Sequence, residues 1–316
     1  MRVSCPADQE VRALAVSFDN QAYDWLSQVA GIPRRYLHHV QMQGSTSSSI
    51  FLIQDSRDPS GRRFVLRVID NREWLDYEPD LAAHEAAALQ TAQRAGLPAP
   101  ELVAYSSDEV GFGAPVVLMS FLAGAIELRP ADLQAWLGAL ARQLVAIHQH
   151  PAEDLAWRYG SWVNMPALAP PSWTTAPRVW ERAIEMVRGA APAYRPVLIH
   201  RDYHPTNILW QGGAISGVVD WINACRGPAG VDVAHCRTNL TMMHGMAVAD
   251  RFLALYSDMA GTFDYQPYWD VDSILDVCLP EPSFYMPWQT FGLATIAPHV
   301  LQQRIDAHLE RVMASL

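Results

Sequence analysis

The strongest constraint on this chain is the stretch VLIHRDYHPTNILWQGGAISGVVDW in its second half. An apolar run leads into His200 and Asp202, Asn207 follows, and a second apolar run ends at Asp220. The Gly-Gly pair between the runs predicts a hairpin. A loop entered from one buried strand and left through another can present Asp202 and Asn207 at one edge. We expect the hairpin to return Asp220 beside them.

This set of polar groups suits phosphoryl transfer, which depends on positioning and charge neutralisation more than on covalent chemistry. Asp202 can orient or deprotonate an acceptor hydroxyl. Asn207 and Asp220 supply the oxygen ligands that Mg²⁺ prefers. Each of the three could singly be an ordinary turn residue, since Asp and Asn favour turns. Their combined spacing between two apolar runs favours the catalytic interpretation.

The pattern of His-x-Asp, then Asn, then a distal Asp resembles the aminoglycoside phosphotransferase and choline kinase family. The resemblance implies a two-lobed protein-kinase-like fold, ATP or GTP as donor, and Mg²⁺. It also implies that His200 is a structural support of the catalytic loop. Asp232 in GVDVAH would cap a helix N-terminus and brace that loop. His204 is interpreted as a loop-shaping residue.

The first third of the chain alternates strand patterns with a single strong helix pattern. The strand-like runs are YLHHVQMQ, IFLIQD, RRFVLRVID, LVAYSS and APVVLMSFL, and the helix pattern covers Asp80 to Ala95. The predicted fold class is therefore α+β, with an antiparallel sheet and one main helix in a small N-terminal lobe. The predicted domains are a nucleotide-binding lobe, residues 1–122, and a helical lobe with the catalytic loop and acceptor site, residues 123–316.

The remainder of the chain is predicted to be mainly helical. Residues 151–177, rich in Pro, Trp and Ala, are expected to be irregular. An additional helix is expected at the N-terminus. The predicted helices cover residues 8–30, 130–149, 177–190, 231–260 and 289–314.

In the family, a cation on the third strand binds the nucleotide phosphates and pairs with a helix glutamate. This chain has Arg67 in VLRV where the kinase pattern has Lys, which is a departure, because a guanidinium fork differs in shape from a lysine point charge. Glu85 is the expected partner of Arg67. Its neighbour His84 is expected at the surface.

The resemblance also implies where the nucleotide is held. The turn GSTSSS, which includes Ser47 and Ser48, occupies the place of the loop over the phosphates. The adenine is expected to hydrogen-bond to backbone groups from Ser120 to Leu122. Because GK[ST] of a Walker A loop is absent, a P-loop kinase is excluded.

The composition limits the classes of molecule that this protein is expected to bind. The formal net charge of −10 argues against nucleic acid or an anionic membrane and is compatible with a cationic partner. The four cysteines show no CxxC spacing, so neither a zinc site nor a disulfide framework is indicated. With no signal-peptide core and no membrane-spanning apolar stretch, the expected location is the cytoplasm.

The acceptor is predicted to be the hydroxyl of a small molecule: an aminoglycoside, a macrolide, an amino alcohol or a sugar. A cationic acceptor could be held by an acidic and aromatic run, whose alternative interpretation is a solvated helix face. The run comprises Asp264, Tyr265, Tyr268, Trp269, Asp270, Asp272 and Asp276.

Two other functions remain open at this stage. One is a catalytically silent nucleotide-binding or regulatory module of the same fold, which the unusual Arg67 keeps open. The other is a protein kinase, which would need a longer activation segment than the short stretch after Asp220.

Overall fold

The computed structural model describes residues 16–42 and 47–316. This part of the chain forms two compact units. The smaller unit contains the described residues up to Gly124 together with Ser216–Asn223, and the larger contains Ala125–Ile215 and Ala224–Leu316.

The smaller unit is built on a five-stranded antiparallel sheet in the order β1-β2-β3-β5-β4. Its strands are β1 Leu37–Gln41, β2 Ser49–Asp55, β3 Arg63–Val68, β4 Leu102–Ser106 and β5 Val116–Ser120. Its helices are α1 Asn20–Ala30, α2 Arg72–Tyr77 and α3 Leu81–Arg94. Each predicted strand and the predicted main helix are present.

Strand alternation determines which side chains of β3 enter the core. Phe64, Leu66 and Val68 point to one face and are buried with Phe51 and Leu118. Because successive side chains point to opposite faces, Arg67 lies on the other face of the sheet. The small side chains of α3 allow this helix to pack closely. As a result, nine of its residues are buried.

The larger unit is mainly helical. Its helices are α4 Leu133–His148, α5 Pro177–Arg188, α6 Ala229–His244, α7 Met246–Ala260, α8 Pro267–Val277, α9 Pro287–Thr290 and α10 Pro298–Met313. Its strands are β6 Ala125–Ile126, β7 Pro196–Ile199, β8 Ile208–Gln211, β9 Ala214–Val218 and β10 Cys225–Pro228, of which β9 ends within the segment Ser216–Asn223 of the smaller unit.

Helix α6 is the centre of the larger unit. It packs against α7, α8 and α10, and most of its residues are buried, polar ones included. Strand β7 pairs antiparallel with β10, which places Ile199 opposite Cys225 immediately before the segment that contains His200 and Asp202. The chain leaves that segment through the hairpin of β8 and β9.

Several predicted boundaries differ from the structure. The single helix predicted over 231–260 is two helices, because Gly245 has φ of 89° and ψ of 165° and ends α6. The helix predicted over 289–314 begins only at Pro298, after the short α9. The sequence interpretation missed α2, and of the helix predicted over 8–30 the described part begins at Asn20.

Two further expectations can be compared with the structure. Residues 151–177 are irregular as predicted, apart from a short 3₁₀ turn at Met165–Ala167. His84 was predicted at the surface, which is wrong: it is buried, because α3 is covered on more than one side. No helix among residues 16–42 and 47–316 is long and apolar enough to cross a membrane.

A tight contact at the start of α6 provides a test of the fold. A Cβ added at Gly230 would lie 2.2 Å from Cδ1 of Trp269, so we expect Gly230→Ala to destabilise the protein by about 1–3 kcal/mol through overpacking. Gly138 on α4 is the matched control, because an added Cβ there meets no atom within 4 Å. Gly138→Ala should leave stability unchanged or raise it by about 0.5–1 kcal/mol. Urea denaturation measures both, and equal stabilities of the two variants would contradict this packing.

Candidate active site

One buried carboxylate, that of Asp232, fixes the backbone at the start of the segment from His200 to Asn207. Asp232 accepts hydrogen bonds from the backbone N–H of His200 at 2.7 Å and of Arg201 at 2.6 Å. Nε2 of His148 lies 3.1 Å from the same carboxylate. Asp232 is completely buried, so these partners compensate a charge that water cannot reach.

One half of the expectation for Asp232 stays a prediction, and the structure corrects the other. The carboxylate binds two backbone N–H groups of the loop, as the predicted bracing role requires. It does not cap α6, because the helix begins at Ala229 and Asp232 already lies in its first turn. His200 is fully buried and stacks edge-on against Tyr203, which is consistent with a supporting role.

The carboxylate of Asp202 has a partner on each oxygen. Oδ1 lies 3.0 Å from Nε2 of His235 and 3.3 Å from Nε2 of His204. Oδ2 accepts a hydrogen bond from Nδ2 of Asn207 at 3.0 Å. Burial opposes ionisation, but the two imidazoles outweigh it and hold the pKa of Asp202 well below its usual range.

The two histidines are oriented differently. Nδ1 of His204 accepts a hydrogen bond from the backbone N–H of Thr206 at 3.3 Å, so its Nε2 carries the hydrogen that faces Asp202. His204 thereby shapes the loop, as expected. For His235, burial is the largest single influence and lowers the pKa, but the hydrogen bond to Asp202 and the negative charges of Asp202, Asp276 and Asp232 together raise the net pKa.

Sequence reasoning missed His235. The residue belongs to α6 and follows Asp232 by three positions, which places the two on the same face of the helix. A histidine one turn after the bracing aspartate was therefore an available signal. Together Asp202, His204 and His235 form a group whose ligand-type atoms all lie within 4.8 Å of one another.

Asn207 ends a short 3₁₀ turn, and its side chain is oriented by the loop. Its Nδ2 donates to the backbone oxygen of Asp202 at 2.9 Å as well as to Oδ2. With the amide nitrogen used in this way, the amide oxygen accepts none of the hydrogen bonds found in the described part of the chain. That oxygen is the type of atom that binds Mg²⁺.

In the smaller unit, Arg67 has a polar partner on each of its three nitrogens. Nε lies 2.9 Å from Oε2 of Glu85, and Nη2 donates to Oδ1 of Asp220 at 2.8 Å. Nη1 donates to Oγ of Ser48 at 2.9 Å. The expected pairing of Arg67 and Glu85 is thus present, and the structure adds Ser48 and Asp220 to it.

This group is almost entirely removed from water, since Arg67 is 6% exposed and Glu85 is 0% exposed. Burial raises the pKa of Glu85 to about 7, although the guanidinium acts in the opposite direction. Burial disfavours the charge of Arg67 too, yet the two carboxylates raise its pKa overall. Asp220 has φ of 69°, a left-handed conformation that Asp tolerates better than most residues.

The remaining residues expected at the nucleotide are placed as follows. Ser48 is buried against Arg67, while Ser47 is half-buried, and positions 44–46 of the same turn lie outside the described residues. The backbone N–H of Ser120 donates to Glu101, and Oγ of Ser120 accepts from the backbone N–H of Glu101. Ser120 is therefore already engaged within the sheet, which leaves Leu122 as the better candidate of the two for adenine.

The larger unit has a pocket beside His235. Asp272 and Asp276 of α8 line it, with Trp269 and Arg201. Residues of the predicted acidic and aromatic run therefore differ in their surroundings: some line this pocket, and others are buried elsewhere in the unit. Asp270 is buried in an ion pair with Arg237 and Asp272 is also buried, so the alternative of a solvated helix face is wrong for both.

Comparison with known proteins agrees with this architecture. The profile of the phosphotransferase enzyme family matches residues 40–268. A homoserine kinase from Chelativorans sp. (strain BNC1) is 32% identical over 143 residues, which cover 39% of this chain and 41% of the relative. The match therefore spans about two-fifths of the length of that curated protein.

Solved structures extend the likeness over the whole fold. A thermostable mutant of aminoglycoside phosphotransferase APH(4)-Ia, in ternary complex with ADP and hygromycin B, has a TM-score of 0.56 at 16% identity, covering 92% of this chain and 98% of its own. Choline kinase from Cryptosporidium parvum Iowa II has a TM-score of 0.54 at 10% identity, covering 92% and 93%. The predicted α+β, kinase-like fold class is confirmed, and the chain belongs to the phosphotransferase enzyme family.

Proposed function

We propose that this protein is a small-molecule kinase, which transfers the γ-phosphoryl group of ATP to a hydroxyl of its acceptor. The observation that carries the proposal is the environment of Asp202. Its carboxylate is oriented by two imidazoles and by the Asn207 amide, on a loop whose backbone is tied to a buried aspartate. Such preorganisation suits a reaction that depends on positioning.

The proposed reaction begins with the acceptor hydroxyl donating a hydrogen bond to Asp202. The acceptor oxygen forms a bond to the γ-phosphorus as the bond from that phosphorus to the β–γ bridging oxygen breaks, and ADP leaves. Since the pKa of Asp202 is low, its main role is orientation, and it takes up the hydroxyl proton as the new bond forms.

We propose Asn207 and Asp220 as oxygen ligands for Mg²⁺. The amide oxygen of Asn207 fits this role because its nitrogen is bound to Asp202. Asp220 fits because only Oδ1 is used by Arg67 among the hydrogen bonds of the described residues. When bound, the ion would neutralise negative charge on the phosphates.

Arg67 and Glu85 are proposed to hold the nucleotide, with Arg67 gripping phosphate oxygens. Ser47, Ser48 and the backbone at Leu122 are proposed as further contacts. The names of the similar proteins support nucleotide use and several acceptor classes: one was crystallised with ADP and hygromycin B, and others are a choline kinase and a homoserine kinase.

One observation favours a second function, a catalytically silent nucleotide-binding module. Arg67 occupies Oδ1 of Asp220, so this proposed metal ligand is engaged by a cation within its own unit. In a kinase, Asp220 would bind the metal ion through Oδ2 while Oδ1 stays paired with Arg67. A silent module would bind nucleotide with Asp220 paired to Arg67 alone.

An acceptor screen with ATP and Mg²⁺ tests the proposal. The acceptors are hygromycin B, choline, homoserine and a sugar, and ADP release is measured for wild type, Asp202→Asn and the exposed control Asp258→Asn on α7. We expect turnover that EDTA abolishes and that Asp202→Asn lowers by about 10²- to 10⁴-fold in kcat, with Asp258→Asn unchanged. An ATP-induced rise in Tm without any turnover would support the silent module. Neither turnover nor a rise in Tm would refute both functions.

The proposed binding of nucleotide phosphates by Arg67 can be tested separately from its contribution to stability. Arg67→Met leaves Glu85 buried without its cation, so we expect a loss of about 3–5 kcal/mol in the free energy of unfolding. The double variant Arg67→Met/Glu85→Leu carries neither charge and should recover most of this stability. Both variants should lose ATP affinity in isothermal titration calorimetry. Wild-type affinity in the double variant would show that Arg67 does not bind phosphate.

The pairing of Asp202 with His235 predicts a change in pH dependence. Since His235 helps to hold the pKa of Asp202 low, His235→Asn should raise that pKa. The base is then protonated at higher pH, so the acidic limb of the kcat/KM profile should move to higher pH. Carbon NMR titration of the Asp202 carboxyl measures the same change without an acceptor. The exposed His299→Asn is the control, and a shift of equal size in it would exclude a specific pairing.

A further inference from the structure

We infer that the larger unit contains a binding site for Zn²⁺ or a similar transition-metal dication, formed by Asp202, His204 and His235. The Mg²⁺ ion proposed above uses oxygen atoms of Asn207 and Asp220, so this is a second and chemically different site. Binding of the ion does not depend on the proposed function. Its consequence for catalysis rests on that function, because Asp202 is the proposed partner of the acceptor hydroxyl.

Three ligand-type atoms converge at the start of the candidate active-site loop. Oδ1 of Asp202 lies 3.0 Å from Nε2 of His235 and 3.3 Å from Nε2 of His204. The ligand-type atoms of the three residues all lie within 4.8 Å of one another. A point equidistant from atoms at these spacings is no more than about 2.4 Å from each, and Zn²⁺ binds His nitrogen and Asp oxygen at about 2.0–2.2 Å. A small contraction of the group therefore completes the site.

The donor set determines which ions the site favours. Two imidazole nitrogens and one carboxylate oxygen suit Zn²⁺, Cu²⁺ and Ni²⁺, whereas Mg²⁺ prefers oxygen donors in near-octahedral geometry. Three protein ligands with a fourth position for water is the arrangement of zinc sites that remain open to other molecules. The group formed by Asp202, His204 and His235 therefore selects a transition metal over the Mg²⁺ that accompanies ATP.

The ligands are carried by parts of the larger unit that are already fixed. Asp202 follows two residues whose backbone N–H groups donate to Asp232, and its Oδ2 accepts from Nδ2 of Asn207 at 3.0 Å. His235 lies on α6, three positions after Asp232. An ion that binds a preformed set of ligands loses less free energy to the ordering of side chains.

The ligands can be reached by an ion from solvent. The side chain of Asp202 is 29% exposed, that of His235 is 17% exposed and that of His204 is 10% exposed. The pocket beside His235 has a volume of about 20 Å³, which is enough for one water molecule. Water is therefore available as a further ligand of a bound ion.

Two hydrogen-bonding contacts compete with the ion. Nδ1 of His204 accepts from the backbone N–H of Thr206 at 3.3 Å, and Nδ2 of Asn239 lies 3.2 Å from Nε2 of His235. An ion on Nε2 of His204 moves the hydrogen of that ring to Nδ1, which ends the bond from Thr206. Because both contacts are long, we expect them to lower the affinity to the micromolar range without preventing binding.

An ion on Oδ1 of Asp202 interferes with the proposed reaction. It occupies the carboxylate that is proposed to orient the acceptor hydroxyl and to take up its proton. It also makes the carboxylate a weaker base, because a nearby positive charge stabilises the ionised form. We therefore expect Zn²⁺ to inhibit the kinase in competition with the acceptor.

The binding test uses the untagged protein without nucleotide. Isothermal titration calorimetry measures Zn²⁺ binding, and Co²⁺ is added in a separate experiment because its visible absorption reports its ligands. The variants are Asp202→Asn, His204→Gln and His235→Asn, and the exposed His299→Asn is the matched control. Since His235 belongs to α6, His235→Asn tests the site even if a variant within the loop fails to fold.

We expect wild type and His299→Asn to bind one equivalent of Zn²⁺ and to give the same Co²⁺ absorption band. Loss of any one ligand should weaken Zn²⁺ binding by at least about 10-fold and remove that band. A large excess of Mg²⁺ should leave Zn²⁺ binding unchanged. With an acceptor that is turned over, Zn²⁺ at a free concentration fixed by a chelator buffer should raise KM for the acceptor.

Two binding results would overturn the inference. One is no binding of Zn²⁺ or Co²⁺ to wild type, and the other is equal affinity in wild type and His235→Asn, which would place the ion elsewhere. Binding that requires the three ligands but leaves turnover unchanged would overturn the inhibitory consequence. If no acceptor is turned over and ATP does not raise Tm, the kinase proposal fails, while the binding measurements still decide the metal site.

Discussion

The arrangement of the loop from His200 to Asn207, the candidate active site, depends on one buried carboxylate, that of Asp232. A fully buried charge is stable only with compensating partners, and here two consecutive backbone N–H groups and His148 supply them. Because the partners are main-chain groups, the bond fixes the path of the loop as well as one side chain. The left-handed conformation of Arg201 and the position of Asp202 both follow from that path. Helix α6 thereby positions a loop that is distant in sequence.

The smaller unit has a buried charge group of its own around Arg67. Glu85 is buried against it, and Asp220 and Ser48 complete the set. A guanidinium can bind three partners through three nitrogens, whereas an ammonium is a single point of charge. The presence of Arg where the kinase pattern has Lys therefore changes the number of partners as well as the size of the side chain. It produces a preformed group in which a proposed phosphate ligand and a proposed metal ligand are already joined.

Local patterns were sufficient to predict the strands around Arg67 and the main helix, because alternation and helical spacing are read within a few residues. Local patterns do not predict features that depend on the packing of residues distant in sequence. The break at Gly245 requires a φ that the helical pattern around it does not reveal. His84 appeared to be a surface residue, yet α3 is covered on more than one side. The run from Asp264 to Asp276 carries four Asp and no basic residue in sequence, although Asp270 is bound to Arg237 and Asp272 lines a pocket.

The sequence by itself determined the family and the α+β class, and it supplied Asp202, Asn207 and Asp220 as the proposed groups for phosphoryl transfer. Their spacing is a local property, so it can be read without coordinates. Only the tertiary structure decided that His235 binds Asp202 and that Arg201 lines the same pocket as the carboxylates of α8. These contacts join residues that are far apart along the chain, and their distances arise from the packing of α6 and α8 against the loop.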